Sequence, residues 1–338
     1  MSKTTLITVD LAKDVFQAAG FNDRLKIDFN KRLKRREIAQ FIAQQPPCEL
    51  VMEACYSSHY WGRRFQEMGH TVRLLPAQHV TPFVRGNKSD HNDTIAIAEA
   101  SRRPNIIDVP LKSVAQQDIQ CLHRMRELCI TRRTGLMNQS RGLLSEYGIV
   151  TTTGHAAFSR LLSEVSDPES DSISPILKTQ FRAICNEYLE LTDRIAGILA
   201  ELTQIAKNEP LCQLLLTIPG IGVINATAIY SAIGNGSQFK SAREFAVWLG
   251  LTPKQRSSGN TFISSGITKR GDRYLRKQLV HGARALLHRC GKKTDRLSLW
   301  VNQLVARRGA NKACVALAAR LARTCWILLQ KQEPYRAM

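Results

Sequence analysis

The sequence predicts an α/β domain built on a mixed sheet, followed by a coiled-coil helical region and a mainly helical C-terminal domain. Three observations carry that prediction. The first hundred residues alternate short β-rich runs with helix-like stretches. A strict 4,3 spacing of apolar residues then extends from Leu177 to Ile205. Beyond Pro210 the chain is helix-forming, basic and punctuated by Gly and Pro. The implied domain boundaries are 1–112, 113–208 and 209–338.

Leu6-Ile7-Thr8-Val9 is a β-rich run ending at Asp10, Val15 to Phe21 continues a meander, and Ile27-Asp28-Phe29 forms a third strand. Lys34 to Gln44 reads as a helix stopped by Pro46-Pro47. Glu49-Leu50-Val51-Met52 is a buried strand that delivers Glu53 at its end. A helix over His59 to Met68, broken by Gly69, precedes a strand over Thr71 to Leu75. This order suits a mixed sheet with helices on both faces, where functional groups collect at strand ends. Asp90-His91-Asn92-Asp93 opens a further helix whose i,i+3 carboxylates share one face. Taken alone, the pair reads better as an N-cap Asp90 with Asp93 favoured by the helix dipole than as metal ligands.

The apolar residues Leu177, Phe181, Ile184, Tyr188, Leu191, Ile195, Ile198, Leu202 and Ile205 form an a/d seam over four heptads. Leu122, Cys129, Leu136 and Leu143 recur every seven residues in a second helix that carries Arg124, Arg126, Arg132 and Arg133. The Ser/Thr/Asp-rich stretch from Thr151 to Ser174 reads as their connection. The spacing leaves open whether the two helices pack on each other or on a second subunit, and the seam is the candidate contact between copies. After Pro210, a helix, a tight Pro219-Gly220-Ile221-Gly222 turn and a second helix form a helix-hairpin-helix, in which free backbone N–H groups at Gly220 and Gly222 suit a phosphate. Lys254 and Arg256 flank a polar Ser-Ser-Gly loop, and a basic helix starting near Ile267 presents Lys269, Arg270, Arg273, Arg276 and Lys277 as a phosphate-binding face.

Composition narrows the class. The 338 residues carry 48 Lys+Arg against 28 Asp+Glu, a formal charge of +20. From Leu211 onward, 21 Lys+Arg face only 4 Asp+Glu, an imbalance that points to a phosphate-rich partner. No stretch suggests a membrane span, and the N-terminus lacks the apolar run of a signal peptide, so a cytoplasmic protein is expected. The nine cysteines include no C-x-x-C pair and read as small apolar residues. Against this basic background Asp10, Glu53, Asp90 and Asp93 stand at the ends of buried elements. Converging carboxylates repel one another unless a hard cation such as Mg²⁺ joins them, and acidic metal pockets in basic chains suit enzymes that cut or join nucleic acid.

The set Val9-Asp10-Leu11-Ala12-Lys13, Met52-Glu53-Ala54-Cys55, Lys88-Ser89-Asp90-His91-Asn92-Asp93 and Pro219-Gly220-Ile221-Gly222 resembles the DEDD transposases of bacterial insertion sequences. Leu249-Gly250-Leu251-Thr252-Pro253, Ser257-Ser258-Gly259 and Lys269-Arg270-Gly271-Asp272 match the same family in the same order, so the resemblance covers about residues 4–325. The chain departs at Tyr56, where relatives commonly have Gly, and at Thr94, where Ala is usual.

The resemblance implies an RNase H-like (RuvC-like) catalytic domain, a coiled-coil insertion and a C-terminal transposase domain with a catalytic serine. It implies that Asp10, Glu53, Asp90 and Asp93 bind Mg²⁺, with Mn²⁺ as a substitute, and that Ser258 forms a covalent phosphoserine link to DNA. It further implies guidance by a structured bridge RNA and a homodimer or dimer of dimers acting on element ends and target DNA. Ser257 is the rival nucleophile, with Ser264 and Ser265 close behind, and no His lies near Ser258 in sequence to serve as a local base. Whether tetrad and serine act within one subunit or between two is left open. Two other readings compete: a RuvC-like junction endonuclease that hydrolyses with water, and a basic architectural protein that binds branched DNA.

Overall fold

The computed structural model describes residues 4–336 except 88, 168, 260 and 292, and excludes the side chain of Ser264. Lys88 of the acidic motif and Asn260 of the serine loop thus lie outside the described residues. Contacts divide the chain into two units, Met1–Ala115 with Gly236–Glu244, and Gln116–Asn235 with Phe245–Met338. The helical region and the C-terminal domain, expected as separate, fall together in the second.

The first unit is organised by a five-stranded sheet of β1 (Leu6–Leu11), β2 (Val15–Phe21), β3 (Ile27–Lys34), β4 (Glu49–Glu53) and β5 (Thr71–Leu75), in the order β3-β2-β1-β4-β5. β1 pairs antiparallel with β2 and parallel with β4, so the sheet is mixed as expected. Side chains alternate faces along each strand. Ile7, Val9, Phe16, Ala18, Leu50 and Met52 pack against Ile38 and Ile42 of α1 (Ile38–Ala43) and Trp61 and Phe65 of α2 (Ser58–Glu67). The intervening Leu6, Ala19, Phe21, Val51 and Leu75 meet α3 (Ala77–Val80) and Ala96, Ile97 and Ala100 of α4 (Asp90–Ser101) on the other face. β3 is longer, and α1 shorter, than the sequence predicts. Lys31 to Lys34 stay extended because they pair with Ala18 to Val15, and the ladder outweighs their helix propensity. On β5, Arg73 bonds Asp108 and Glu49 at 2.8 and 2.7 Å and the Ser101 carbonyl at 3.2 Å, tying strand, helix end and following segment together.

In the second unit α5 (Val114–Ser145) and α7 (Pro175–Asn208) pack on each other as an antiparallel pair. Ile119 meets Ile198 and Leu202 at one end, Cys129 meets Leu191 and Ile195 midway, and Met137 and Leu144 share a core with Phe181 and Tyr188. The heptad seam is therefore filled within the chain, which corrects its assignment as the contact between copies. The connection expected over Thr151 to Ser174 contains α6 (His155–Ser166), whose Phe158, Leu161, Leu162 and Val165 complete the same core. α8 (Pro210–Leu216) and α9 (Val223–Ile233) flank the Pro-Gly turn, followed by α10 (Ala242–Trp248), a hairpin of β6 (Pro253–Ser258) and β7 (Thr261–Ile267), and α11 (Arg273–Cys290), α12 (Arg296–Arg308) and α13 (Ala310–Lys331). α13 amends the expectation that no stretch approaches a membrane span, since its length and composition would suffice. Its Cys314, Leu317, Leu321 and Cys325 are nonetheless buried, and it packs against α11.

Ile195 is only 8% exposed. Ile195→Lys places a charge inside the helix pair and is expected to cost about 3 kcal/mol of unfolding free energy, against less than about 1.5 for Ile195→Leu. Denaturant titration measures both. An unchanged midpoint with a smaller mass on a sizing column would return the seam to a contact between subunits.

Candidate acidic metal site and serine hairpin

Strand parity aims the first carboxylates. Leu6 faces α4, so Thr8 and Asp10 do too; Val51 faces α4, so Glu53 follows. β1 and β4 run parallel with Val9 opposite Met52, which puts Asp10 and Glu53 at neighbouring strand ends. The Thr8 hydroxyl donates to the Thr94 carbonyl at 2.9 Å and pins the first turns of α4 onto β1. The N-cap of α4 is Ser89, whose Oγ accepts from the Asn92 amide, so Asp90 is not the cap but the first helical residue. Asp10, Asp90 and Asp93 then each offer a carboxylate oxygen within 4.8 Å of the others. Glu53 is outside that set but near enough for its charge to act on Asp10.

Burial, helped by the charges of Asp93, Asp90 and Glu53, pushes the Asp10 carboxyl up to about 6, with the Leu11 amide pulling the other way. Oxygen-only donors under mutual repulsion are the chemistry that a divalent cation such as Mg²⁺ relieves, so the residues present fit one. Beside the cluster, Gln17 lies opposite Asp10 on β2 and donates to Asn30, which donates to the Thr94 hydroxyl at 3.3 Å. Gln17 and Asn30 escaped the sequence reading, which marked Thr94 only as a departure from the family's usual Ala. The one signal is that Gln17 interrupts the otherwise apolar β2; Asn30 sits in the largely polar and exposed β3, where it does not stand out.

Ser258 belongs to the second unit. It ends β6, directly opposite Thr261, and Gly259 turns the chain with φ +54°. The segment read as a polar loop is thus a hairpin. Cross-strand partners share a face, so Ser258 stands with Thr261, Arg256 and Ile263, whereas Ser257 stands with Phe262 and Gln255. The hairpin's base is locked by glycines. Gly250 (φ +68°) and Gly271 (φ +73°) bring segments 248–250 and 269–271 so close that a Cβ on Gly250 would overlap the Arg270 backbone and one on Gly271 the Trp248 carbonyl. The Lys269 amide donates to the Gly250 carbonyl at 3.1 Å, and the Thr268 amide to Thr252 at 2.9 Å.

The basic residues divide by engagement. Lys254, Arg256, Lys269, Arg270 and Arg273 are exposed on or beside the hairpin. The Arg276 guanidinium instead donates to the carbonyls of Leu249 and Arg270 at 2.9 and 2.8 Å. Lys277 pairs with Glu127, Arg132 with Glu187 at 3.4 Å, and Arg133 donates to Thr192. Arg124 is exposed and Arg126 half-buried on α5. Helix α11 starts at Arg273, capped by Asp272, so Lys269 and Arg270 precede it. In the helix-hairpin-helix, Gly220 (φ +88°) packs against Gly282 and Leu286 of α11, whereas Gly222 opens α9 with free space around it.

A family model described as a transposase, of the DEDD kind carried by IS110 elements, matches residues 7–149. A second, described as the transposase IS116/IS110/IS902 family, matches residues 212–298. The chain is 42% identical over 331 residues to a probable family 20 transposase of Pseudomonas aeruginosa, covering 98% of each. It is 40% identical over 336 residues to the transposase for insertion sequence element IS1111A of Coxiella burnetii, covering 99% of this chain and 92% of the relative. A pilin gene-inverting protein of Moraxella bovis is 42% identical over 298 residues, 82% of this chain and 81% of that protein.

The raised Asp10 value has a measurable consequence. In metal-free protein this carboxyl favours folding below its ordinary pKa of about 4, and that contribution is lost as pH rises through about 6. Between pH 4.5 and 7.5 in chelator, wild type should lose more melting temperature than Asp10→Asn. Millimolar Mg²⁺ should restore wild type at pH 7.5 and do little at pH 4.5. Parallel profiles for the two proteins would contradict the shift.

Proposed function

This chain belongs to the DEDD transposases of the IS110 family, and from that premise we propose that it cuts DNA strands and rejoins them to new partners. The observation that carries the proposal is the convergence of Asp10, Asp90 and Asp93 at one end of the sheet, in a chain whose net charge is +20. The strand order agrees with an RNase H-like (RuvC-like) domain. Asp10, Glu53, Asp90 and Asp93 would hold Mg²⁺, with Mn²⁺ as substitute, which when bound neutralises charge developing on the phosphodiester oxygens.

Ser258 supplies the nucleophile. Its oxygen bonds to phosphorus as its proton leaves, and the displaced sugar oxygen departs as a hydroxyl after taking up a proton. The phosphoserine ester keeps the bond energy for rejoining, when a hydroxyl of the incoming strand attacks phosphorus and releases the serine. Ser258 is favoured over Ser257 because it shares its face with the Arg256 side chain, a cation suited to the phosphate under attack. The Moraxella relative, named for inverting a gene, supports rejoining over plain hydrolysis, since inversion requires every cut end to be resealed. Lys254, Arg256, Lys269, Arg270 and Arg273 bind DNA phosphates, with Arg124 and the backbone at Gly222 as further contacts. Arg276, Lys277, Arg132 and Arg133 chiefly brace the chain. Target choice rests with a bridge RNA, and strand exchange between two DNA partners calls for a homodimer or dimer of dimers.

Protein purified with its RNA, incubated with Mg²⁺ and labelled element-end DNA, is expected to form a denaturation-resistant adduct. Ser258→Ala and Asp93→Asn should each reduce it at least about 100-fold. Free 5′-phosphate ends with full activity in Ser258→Ala would instead identify a hydrolytic junction endonuclease. An adduct lost in Ser257→Ala but kept in Ser258→Ala would move the nucleophile by one residue.

A further inference from the structure

The hairpin β6–β7 exposes more than its serine. Every residue of β6 is exposed, and on β7 Phe262 and Ile263 show 64% and 56% of their surface to solvent. Leaving most of a phenylalanine and an isoleucine in water forgoes the hydrophobic gain of burying them. Their neighbours suggest what covers them. Between Pro253 and Ile267 the chain has Lys254 and Arg256 and no Asp or Glu, and Lys269 and Arg270 stand at the base. A second copy of this hairpin would meet it with like charge, whereas a polyanion with stackable apolar surfaces complements both features. The glycine interlock of Gly250 and Gly271 gives the arm a fixed root.

We propose that the hairpin enters duplex DNA at the cut site, with Phe262 wedged between adjacent base pairs. This rests on Ser258 as the residue that attacks DNA. Phe262 is one residue beyond Thr261, the direct partner of Ser258, and projects to the opposite face of the hairpin. The ring therefore parts bases on one side as the hydroxyl and Arg256 face the strand on the other. Exchange of strands requires base pairs at the crossover to open, and unstacking a step is unfavourable. Stacking of the ring on an exposed base, together with phosphate contacts from Lys254 and Arg256, offsets that cost.

The test uses full-length protein purified with its RNA and element-end duplexes carrying 2-aminopurine at successive positions across the cut site, without divalent metal so that no strand is cut. Wild type should raise the fluorescence several-fold at one step only. Phe262→Ala should still bind by anisotropy yet lose that rise, Phe262→Trp should keep it, and matched thermal melts exclude misfolding. In the presence of Mg²⁺, Phe262→Ala should form adduct poorly on paired DNA and recover on a duplex mismatched at that step. Fluorescence unchanged on wild-type binding, or unchanged by Phe262→Ala, overturns the wedge. So does a Phe262→Ala protein that retains less RNA but opens DNA normally, which would assign the ring to the RNA. The assignment of Ser258 is scored separately by loss of the adduct in Ser258→Ala, so either idea can fail without the other.

Discussion

Three aspartates are held closer together than their charges favour, and the first unit is arranged around keeping them there. Asp10 cannot ionise at its ordinary pKa with Asp90 and Asp93 within 4.8 Å and much of its water removed. The force that resists this repulsion is packing. Leu6, Ala19, Phe21 and Val51 clamp α4 through Ala96, Ile97 and Ala100, and Thr8 fixes the helix's height by its bond to the Thr94 carbonyl. Slipping β1 by one residue would turn Asp10 to the opposite face and bring Val9 beneath α4. Register and core thus determine the electrostatics, and a cation has only to complete a site already under strain.

What the sequence revealed depended on what each element buries. β2 and β5 were legible to the residue: β2 is an inner strand of mostly apolar residues, and β5, at the edge of the sheet, is bounded sharply by Gly69 and Pro76. α6 was hidden by its own composition. Ser159 and Ser163 mark its solvent face and resemble loop residues unless the 3.6-residue spacing of Phe158, Leu161, Leu162 and Val165 is followed. β6 and β7 carry no such pattern, since a hairpin with no core of its own has no alternation to impose, and only the Ser-Gly-Asn-Thr turn signals it. At the acidic site, residue types and spacing singled out four carboxylates, of which Asp10, Asp90 and Asp93 converge, but the bracing by Gln17, Asn30 and Thr94 depends on strand pairing that a linear pattern does not contain.

Family motifs in the second unit divide between chemistry and architecture. Leu249-Gly250 and Arg270-Gly271 belong together because two glycines at positive φ let their backbones touch, and Arg276 seals the junction by donating to a carbonyl from each segment. An arginine spent on two carbonyls has less to offer a phosphate. On the proposed reading, the basic helix would therefore be a weaker reader of DNA than its charge count suggests, with the exposed cations of the hairpin carrying more of that role.

His123 shows how the same unit stays rigid across the pH range in which Asp10 titrates. Thr227 Oγ1 donates to the Val223 carbonyl at 2.7 Å, so it accepts from His123 Nε2–H at 3.0 Å, leaving Nδ1 to accept from the Tyr274 hydroxyl at 2.9 Å. One neutral imidazole thereby joins α5, α9 and α11. Burial, with help from the Arg126 charge, pulls its pKa down to about 4, while burial first of all pushes Tyr274 up to about 12. Neither changes charge near neutrality, and the bond pattern persists. The linkage has opposite sign to that of Asp10: His123 withdraws stability as pH falls below its unfolded value near 6.5, and Asp10 returns it over an overlapping interval. A flat pH profile of stability would therefore reflect two large opposed contributions from separate units, and only substitution of one group at a time can tell that from the absence of both.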